Sequence, residues 1–317
     1  MGFAAVQFPN AQAQAQSAES EELMEIVVTA EHREIDVQKA ATSVSVRTGS
    51  ELRNEGRYTL GQILEDVPGV TGGAATANVP GGSGVDTSAP GITIRGIASN
   101  SGAVGNVTSA AAAAAVYVDG VYEGVGGGYD INQVEILRGP QGTLYGRSAT
   151  SGLLAIHTND PQLDRLGGDA VAEVGNYGLE HYTGVVNLPL IDNVLGIRVA
   201  ANRYERDGYY ADDGTTSTDA KIKLLYKPND DISLLLGYAL QNNDTKNGGI
   251  TLTLAPGEPN TYCFDTVPKS CASTPVGRGS NDFRQYWALL SWDLGFATLS
   301  YQPAYRTWTS EIGRAHV

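Results

Sequence analysis

The sequence predicts a β-rich fold in two parts: a mixed α+β unit over residues 35–160, then an antiparallel transmembrane β-barrel wall over residues 161–310. Three observations carry this expectation. From about residue 166 the chain falls into runs of roughly ten residues in which apolar and polar side chains alternate, the period of a strand with two unlike faces. Tight turns, Pro189–Asn193, Pro228–Asp231 and Asp293–Gly295, follow the even strands, whereas the third and fifth are followed by long segments at 207–218 and 243–282. Short turns at one end and long loops at the other are the outer-membrane pattern. Before residue 160 the texture differs, with short apolar runs set among glycine-rich segments.

Composition bounds the function. The 317 residues include 39 glycines and 16 tyrosines against 5 phenylalanines, which suits a turn-rich β-protein with amphipathic aromatics near an interface. A net charge of -14 with 21 basic residues excludes the basic stripe of a nucleic-acid binder. No apolar run is long enough for a membrane helix, a limit that does not apply to barrel strands.

In chain order, residues 1–16 end in small-x-small triplets such as Ala11-Gln12-Ala13 and read either as the remnant of an export signal or as a polar tail. Residues 17–34 form an acidic linker. Within it lies Glu25-Ile26-Val27-Val28-Thr29-Ala30, a β-branched run with no partner in sight. It is either a tethered strand for another protein's sheet edge or the first strand of the next unit. Ser50 and Thr59 are the expected N-caps of two short helices. The second carries the stripe Leu60, Ile63, Leu64 and Val67 and closes at Pro68-Gly69. Residues 71–91 and 99–115 read as loops, and the alanines 110–115 are not expected to form a long helix.

The unit is organised around 116–158. Val116–Val121 and Val134–Leu137 alternate as half-buried strands, with turn chemistry at Asp119-Gly120 and a stop at Arg138-Gly139-Pro140. Gly139, Gly142, Gly146 and Gly152 space a folded loop. A phosphate-binding loop would need glycine at 141 and lysine at 147, but Gln141 and Arg147 stand there. The four histidines are scattered, and neither a nucleophile–base set nor a metal-spaced cluster stands out, so neither an enzyme nor a cofactor is expected.

In the wall, Leu195, Ile197 and Val199 oppose Arg198 and Asn202, while Ile222, Leu224 and Tyr226 oppose Lys221, Lys223 and Lys227. Seven such strands run in sequence, with Leu195, Ile197, Val199, Leu234 and Leu236 expected on the outward face. A soluble sandwich would alternate likewise, and the short connection Asn176-Tyr177-Gly178 breaks the asymmetry of turns; the other connections favour a barrel. The last residues, EIGRAHV, are not expected to continue the strand. They resemble a translated sequencing adapter, so 311–317 reads as an artefact.

Three stretches resemble, in the family's order, signatures of the plug domain of TonB-dependent outer-membrane receptors. They are Ile94-Arg95-Gly96, then Tyr117, Asp119 and Gly120 of YVDGV, then VEILRGPQGTLYGR with Arg138, Gly139, Pro140, Gly142, Tyr145, Gly146 and Arg147. Ser148, Ser151, Leu153, Leu154 and Ala155 depart from the family's continuation. The resemblance implies a plug at 35–160 followed by an incomplete barrel, and places a TonB box at Glu25–Ala30. It further implies an energy-transducing TonB-type partner, an outer-membrane position and import of a scarce extracellular nutrient. The family's usual cargo is a ferric siderophore, with cobalamin, haem and oligosaccharides as alternatives. A different class of function is an outer-membrane binding or adhesion protein that keeps the architecture without active transport. Arg95 is expected to pair with carboxylates or with the barrel wall.

Cys263 and Cys271 share the longest loop of a chain read as exported, where a local disulfide is expected. A metal pair is the competing reading, and that loop holds no histidine. Mass spectrometry of the mature protein is expected to find both cysteines oxidised. Two free thiols in outer-membrane preparations would remove the disulfide.

Overall fold

The computed structural model describes residues 27–28, 35–36, 43–57, 60–71, 92–98, 114–122, 124–145, 149–208, 214–247 and 277–314. The export-signal remnant, both cysteines, Thr59, Gly146 and Arg147 lie outside the described residues, as do Glu25, Ile26, Thr29 and Ala30 of the candidate TonB box.

The first ladder is minimal: β1 (Val27–Val28) pairs antiparallel with β2 (Ile35–Asp36). The run expected to have no partner therefore has one in its own chain, two residues long. A β-branched dipeptide takes whatever strand-former a short connection brings back to it.

The mixed unit follows, with β3 (Ser43–Thr48), α1 (Gly49–Asn54), α2 (Leu60–Leu64), β4 (Val70–Thr71), β5 (Thr93–Ile94) and β6 (Ile97–Ala98). Then come β7 (Ala114–Val118), β8 (Val121–Tyr122), β9 (Ile131–Arg138), α3 (Gly142–Tyr145) and β10 (Gly152–Thr158). Its main sheet has the order β3-β9-β10-β7-β8, and β7 and β10 run parallel. The small sheet β4-β5-β6 stands beside it.

The cap of α1 is Thr48 rather than Ser50. Thr48 Oγ1 accepts the Glu51 N–H, and the Glu51 carboxylate accepts the Thr48 N–H, a reciprocal capping box. The Thr-x-x-Glu spacing selects residue 48, and Ser50 falls inside the first turn. Ile63, Leu64 and Val67 are buried as their stripe requires. The two central strands, expected to be half-buried, are covered on both faces. Val116, Val118, Val134 and Ile136 enter one core cluster, and Ala115, Tyr117, Leu137 and Leu153 enter a second. Alternation there separates two cores rather than core from water. Burial also draws Ala114 and Ala115 into β7, beside Gly152 and Leu153 of β10.

The wall comprises β11 (Gly167–Gly175), β12 (Leu179–Ile191), β13 (Leu195–Asp207), β14 (Gly214–Tyr226), β15 (Ile232–Asn247), β16 (Gly277–Asp293), β17 (Thr298–Tyr301) and β18 (Ala304–Arg314). Each pairs antiparallel with the strand before it, except that β17 and β18 both pair with β16. They are one seventh strand interrupted at Gln302-Pro303, as expected where a residue without an N–H meets a ladder. Glu311–Arg314 does continue that strand, opposite Gly277–Ser280. Strand pairing thus runs on past Ser310, where no continuation was expected, since main-chain pairing accepts almost any side chain at a sheet edge.

The connections after β13 and β15 span 208–213 and 248–276, shorter than expected. Polar pairs such as Thr216↔Asp244 and Asn243↔Asn281 prolong the ladders beyond the point where apolar alternation fades. One face carries the cross-strand rows Ile197–Leu224–Leu236–Ala288 and Val199–Ile222–Tyr238–Tyr286. Val199 and Leu236 are exposed, and Leu195 and Leu234 share their side by register, so the predicted outward set is on one face. No helix among the described residues is long and apolar enough to cross a membrane.

Two glycines fix close approaches. A Cβ on Gly49 would collide with the Ile131 carbonyl, and one on Gly237 would enter the Trp287 indole. Gly49→Ala is expected to lower plug stability by about 1–3 kcal/mol in thermal melts. Gly184→Ala, which points into open space, is the matched neutral control.

Candidate plug–wall seam

The described signature residues are mainly turn-makers. Arg95 and Gly96, at φ 53° and 78°, are the central pair of the β5–β6 hairpin, and the Arg95 N–H donates to the Gly69 carbonyl at 2.8 Å. The Arg95 side chain is exposed, and among the described residues no ion pair to it is present. The glycine-spaced loop closes through the Gly139 N–H to the Ser151 carbonyl and the Gln141 N–H to the Ala149 carbonyl, both at 2.9 Å. Its short helix brings Tyr145 to the sheet, where the Tyr117 hydroxyl donates to the Tyr145 carbonyl at 2.6 Å. Burial, with Glu135 nearby, pushes the Tyr145 phenol up to about 12.

Asp119 and Gly120 likewise turn β7 into β8, both with positive φ (48° and 76°), as a two-residue hairpin requires. Here the turn does more than reverse the chain. Asp119 accepts the Thr158 N–H at 2.8 Å and the Thr158 hydroxyl at 2.7 Å, which fixes the carboxylate against the end of β10. Its outer oxygen meets Lys223 Nζ of β14 at 3.1 Å. Lys223, 1% exposed, also reaches Asp160 at 2.9 Å and the Thr158 carbonyl at 3.1 Å. Burial alone would raise the Asp119 carboxyl. Lys223, Lys221 and the Thr158 hydrogen bonds outweigh it and hold the group below the ordinary carboxylate range.

Asp130 is the second anchor. It also adopts positive φ (52°), and its carboxylate takes a bidentate pair from Arg198 of β13 at 2.6 and 2.8 Å. Asn159 Nδ2 donates to the same carboxylate at 2.7 Å. Between the two anchors, Lys221 Nζ donates to the Gly126 and Tyr129 carbonyls at 3.2 and 3.3 Å and lies 4.7 Å from the centroid of the Tyr129 ring. Further bonds come from Gln285, whose Oε1 accepts the Val125 N–H at 3.2 Å, and Gln302, whose Nε2 donates to the Asp119 carbonyl at 2.6 Å. Apolar contacts fill the gaps, with Val125 against Ala239, Phe283 and Trp287, and Tyr129 against Val185 and Ala200.

Of the signature residues, Asp119 and Gly120 lie on this seam. Asp130, Asp160, Arg198, Lys221, Lys223, Gln285 and Gln302 join it, and the motif reading did not select them. The strand alternation had already placed Arg198, Lys221 and Lys223 on the face opposite the lipid-type residues. What the sequence leaves open is which plug carboxylate each one meets.

Lys223→Met strands the buried Asp119 carboxylate, and a broken buried pair costs about 3–5 kcal/mol, so the plug's thermal transition is expected to fall sharply. Lys227→Met removes an exposed pair with Asp230 and is expected to cost less than about 1 kcal/mol. Because the folded Asp119 pKa is depressed, its contribution is fully present above about pH 3.9 and is lost as pH falls through the lower folded value. Acid titration of plug proteolysis is expected to show that loss, and Asp119→Asn to flatten it.

Residues 36–153 match the family described as the TonB-dependent Receptor Plug Domain. The pesticin receptor of Yersinia pestis is 32% identical over 184 residues, covering 49% of this chain and 26% of that protein. The catecholate siderophore receptor Fiu of Escherichia coli K12 is 31% identical over 172 residues, covering 51% of this chain and 20% of that one. The chain thus spans about a quarter or less of the length of these curated relatives. Among solved structures, the ferric yersiniabactin uptake receptor FyuA of Yersinia pestis superposes with a TM-score of 0.61 at 22% identity, over 86% of this chain and 41% of that one. The siderophore receptor PiuA of Acinetobacter baumannii gives 0.66 at 17%, over 90% and 38%. At those identities the superpositions speak for the fold, a plug held against an antiparallel barrel wall. Residues 36–153 thus match the plug domain of TonB-dependent receptors, and the superpositions show that the chain shares the plug-and-wall fold of these proteins.

Proposed function

We propose that the chain is part of an outer-membrane receptor that imports a ferric siderophore by energy coupled through a TonB-type protein. The observation that carries the reading is the seam: a plug domain held against the inner face of a membrane-type wall by ion pairs and carbonyl contacts, with two small apolar clusters between them. Such a contact can be broken and remade in a way that a continuous hydrophobic core cannot. The cargo class follows the relatives, whose names include a catecholate siderophore receptor and a ferric yersiniabactin uptake receptor.

The outer membrane has no ATP supply, so the work of opening must arrive mechanically. Glu25–Ala30 is the proposed handle. A β-forming segment ahead of the plug can add to a partner's sheet edge through main-chain hydrogen bonds, each worth about 0.5–1.5 kcal/mol net. That suits a reversible contact. The two-residue pairing of Val27–Val28 with Ile35–Asp36 is short enough to be exchanged for a longer ladder with the partner.

Proline removes a donor and fixes φ. Val27→Pro in the full-length receptor is therefore expected to abolish ferric siderophore uptake while cell-surface binding stays normal. Uptake that survives the change, or binding lost with it, would make Glu25–Ala30 an ordinary strand.

A further inference from the structure

The three wall cations of the seam have a second property, which rests on the reading that the plug yields during import. Arg198 and Lys223 are direct cross-strand partners, and Lys221 lies two residues along β14 on the same face. Like charges directly opposite one another destabilise a sheet. The arrangement is tolerated because all the carboxylates that compensate it within contact, Asp119, Asp130 and Asp160, belong to the plug and its exit segment. Lys221 donates to plug carbonyls and sits over a plug ring.

Any displacement of 119–130 therefore uncovers cations rather than neutral wall. The nearest wall carboxylate on that face, Asp219, is engaged by Asn202 Nδ2 at 2.9 Å and by Ser217 Oγ at 2.9 and 3.0 Å. On β11, Asp169 lines the same cavity as Arg198 without an ion pair to it, and Glu173 stands beside His181. Asp219 does interact with Lys221 along β14, but no β13 or β14 carboxylate pairs with Arg198 or Lys223, so the row keeps an excess of positive charge in the plug's absence.

The geometry points to a second role for Arg198, Lys221 and Lys223: once the plug segment moves, they form an anion-binding site on the passage wall. The ligand class is an anionic solute, such as a ferric chelate with net negative charge. At rest the plug carboxylates occupy the site. During opening, a passing anion replaces them, so the passage favours anions at the moment it forms and the returning plug competes the anion off.

The test uses the full-length receptor in a planar bilayer, with urea added stepwise to loosen the plug and a potassium chloride gradient across the membrane. Opened wild-type receptor is expected to show a reversal potential on the chloride side of zero selectivity. Lys221→Gln with Lys223→Gln is expected to lower the chloride-to-potassium permeability ratio several-fold. The exchange Arg198→Asp with Asp130→Arg rebuilds one ion pair while inverting the wall charge, so it keeps the seat yet should also lose anion preference. Opened channels with the same reversal potential in wild type and both variants would overturn the site and leave the receptor reading standing. If urea opens no conductance in any variant while the wall remains folded, the plug is not a movable gate, and the import reading falls together with the site.

Discussion

Burial of charge between plug and wall is the constraint from which the rest of the structure follows. Lys221 and Lys223 are removed from water almost completely, a state an ammonium tolerates only where anions and carbonyl oxygens replace its hydration. That need fixes where the β7–β8 turn must stand and which way Asp130 must point. It also fixes how the chain leaves β10, because Thr158 and Asp160 complete the shell around Lys223. Both anchoring aspartates hold a left-handed backbone, which short polar side chains tolerate better than branched ones. The turn chemistry and the ionic contact therefore select the same residue.

Much of the architecture was legible in the chain. Period-2 alternation located all seven wall strands and the face that carries Val199 and Leu236, since a barrel wall has one lipid-type side and one polar side throughout its length. Strand ends were less legible: the polar pairs that prolong β14, β15 and β16 carry no apolar signal. In the plug the same period misled about burial. Two cores flank one sheet, and Tyr117 and Val118 are both buried on opposite faces.

The seam shows the sharper limit. Turn residues such as Asp119-Gly120 and Arg95-Gly96 announce themselves by local chemistry, and the structure places both in hairpins. Ion-pair partners do not, because Lys223 and Asp119 are over a hundred positions apart and many carboxylates could have met that lysine. Asp130 carried no local signal. The seventh strand's break at Gln302-Pro303 was not anticipated, and the contact beside it, Gln302 on the Asp119 carbonyl, depends on how far the wall curls toward the plug.

The route from β10 to β11 sets a mechanical asymmetry. Residues 159–166 join the middle strand of the plug sheet to the first wall strand, and eight residues reach at most about 28 Å when taut. Asn187 pins this short strap at Gln162 and Arg165, with bonds of 2.8 and 2.9 Å. The middle of the plug sheet is thus moored, whereas β3, at one edge, is joined to the sheet through β9 alone. A load entering ahead of Ser43 meets that edge first and would strip the sheet inward toward its mooring. The domain is built to fray from one side, and the strand that stays longest is the one already tied to the wall.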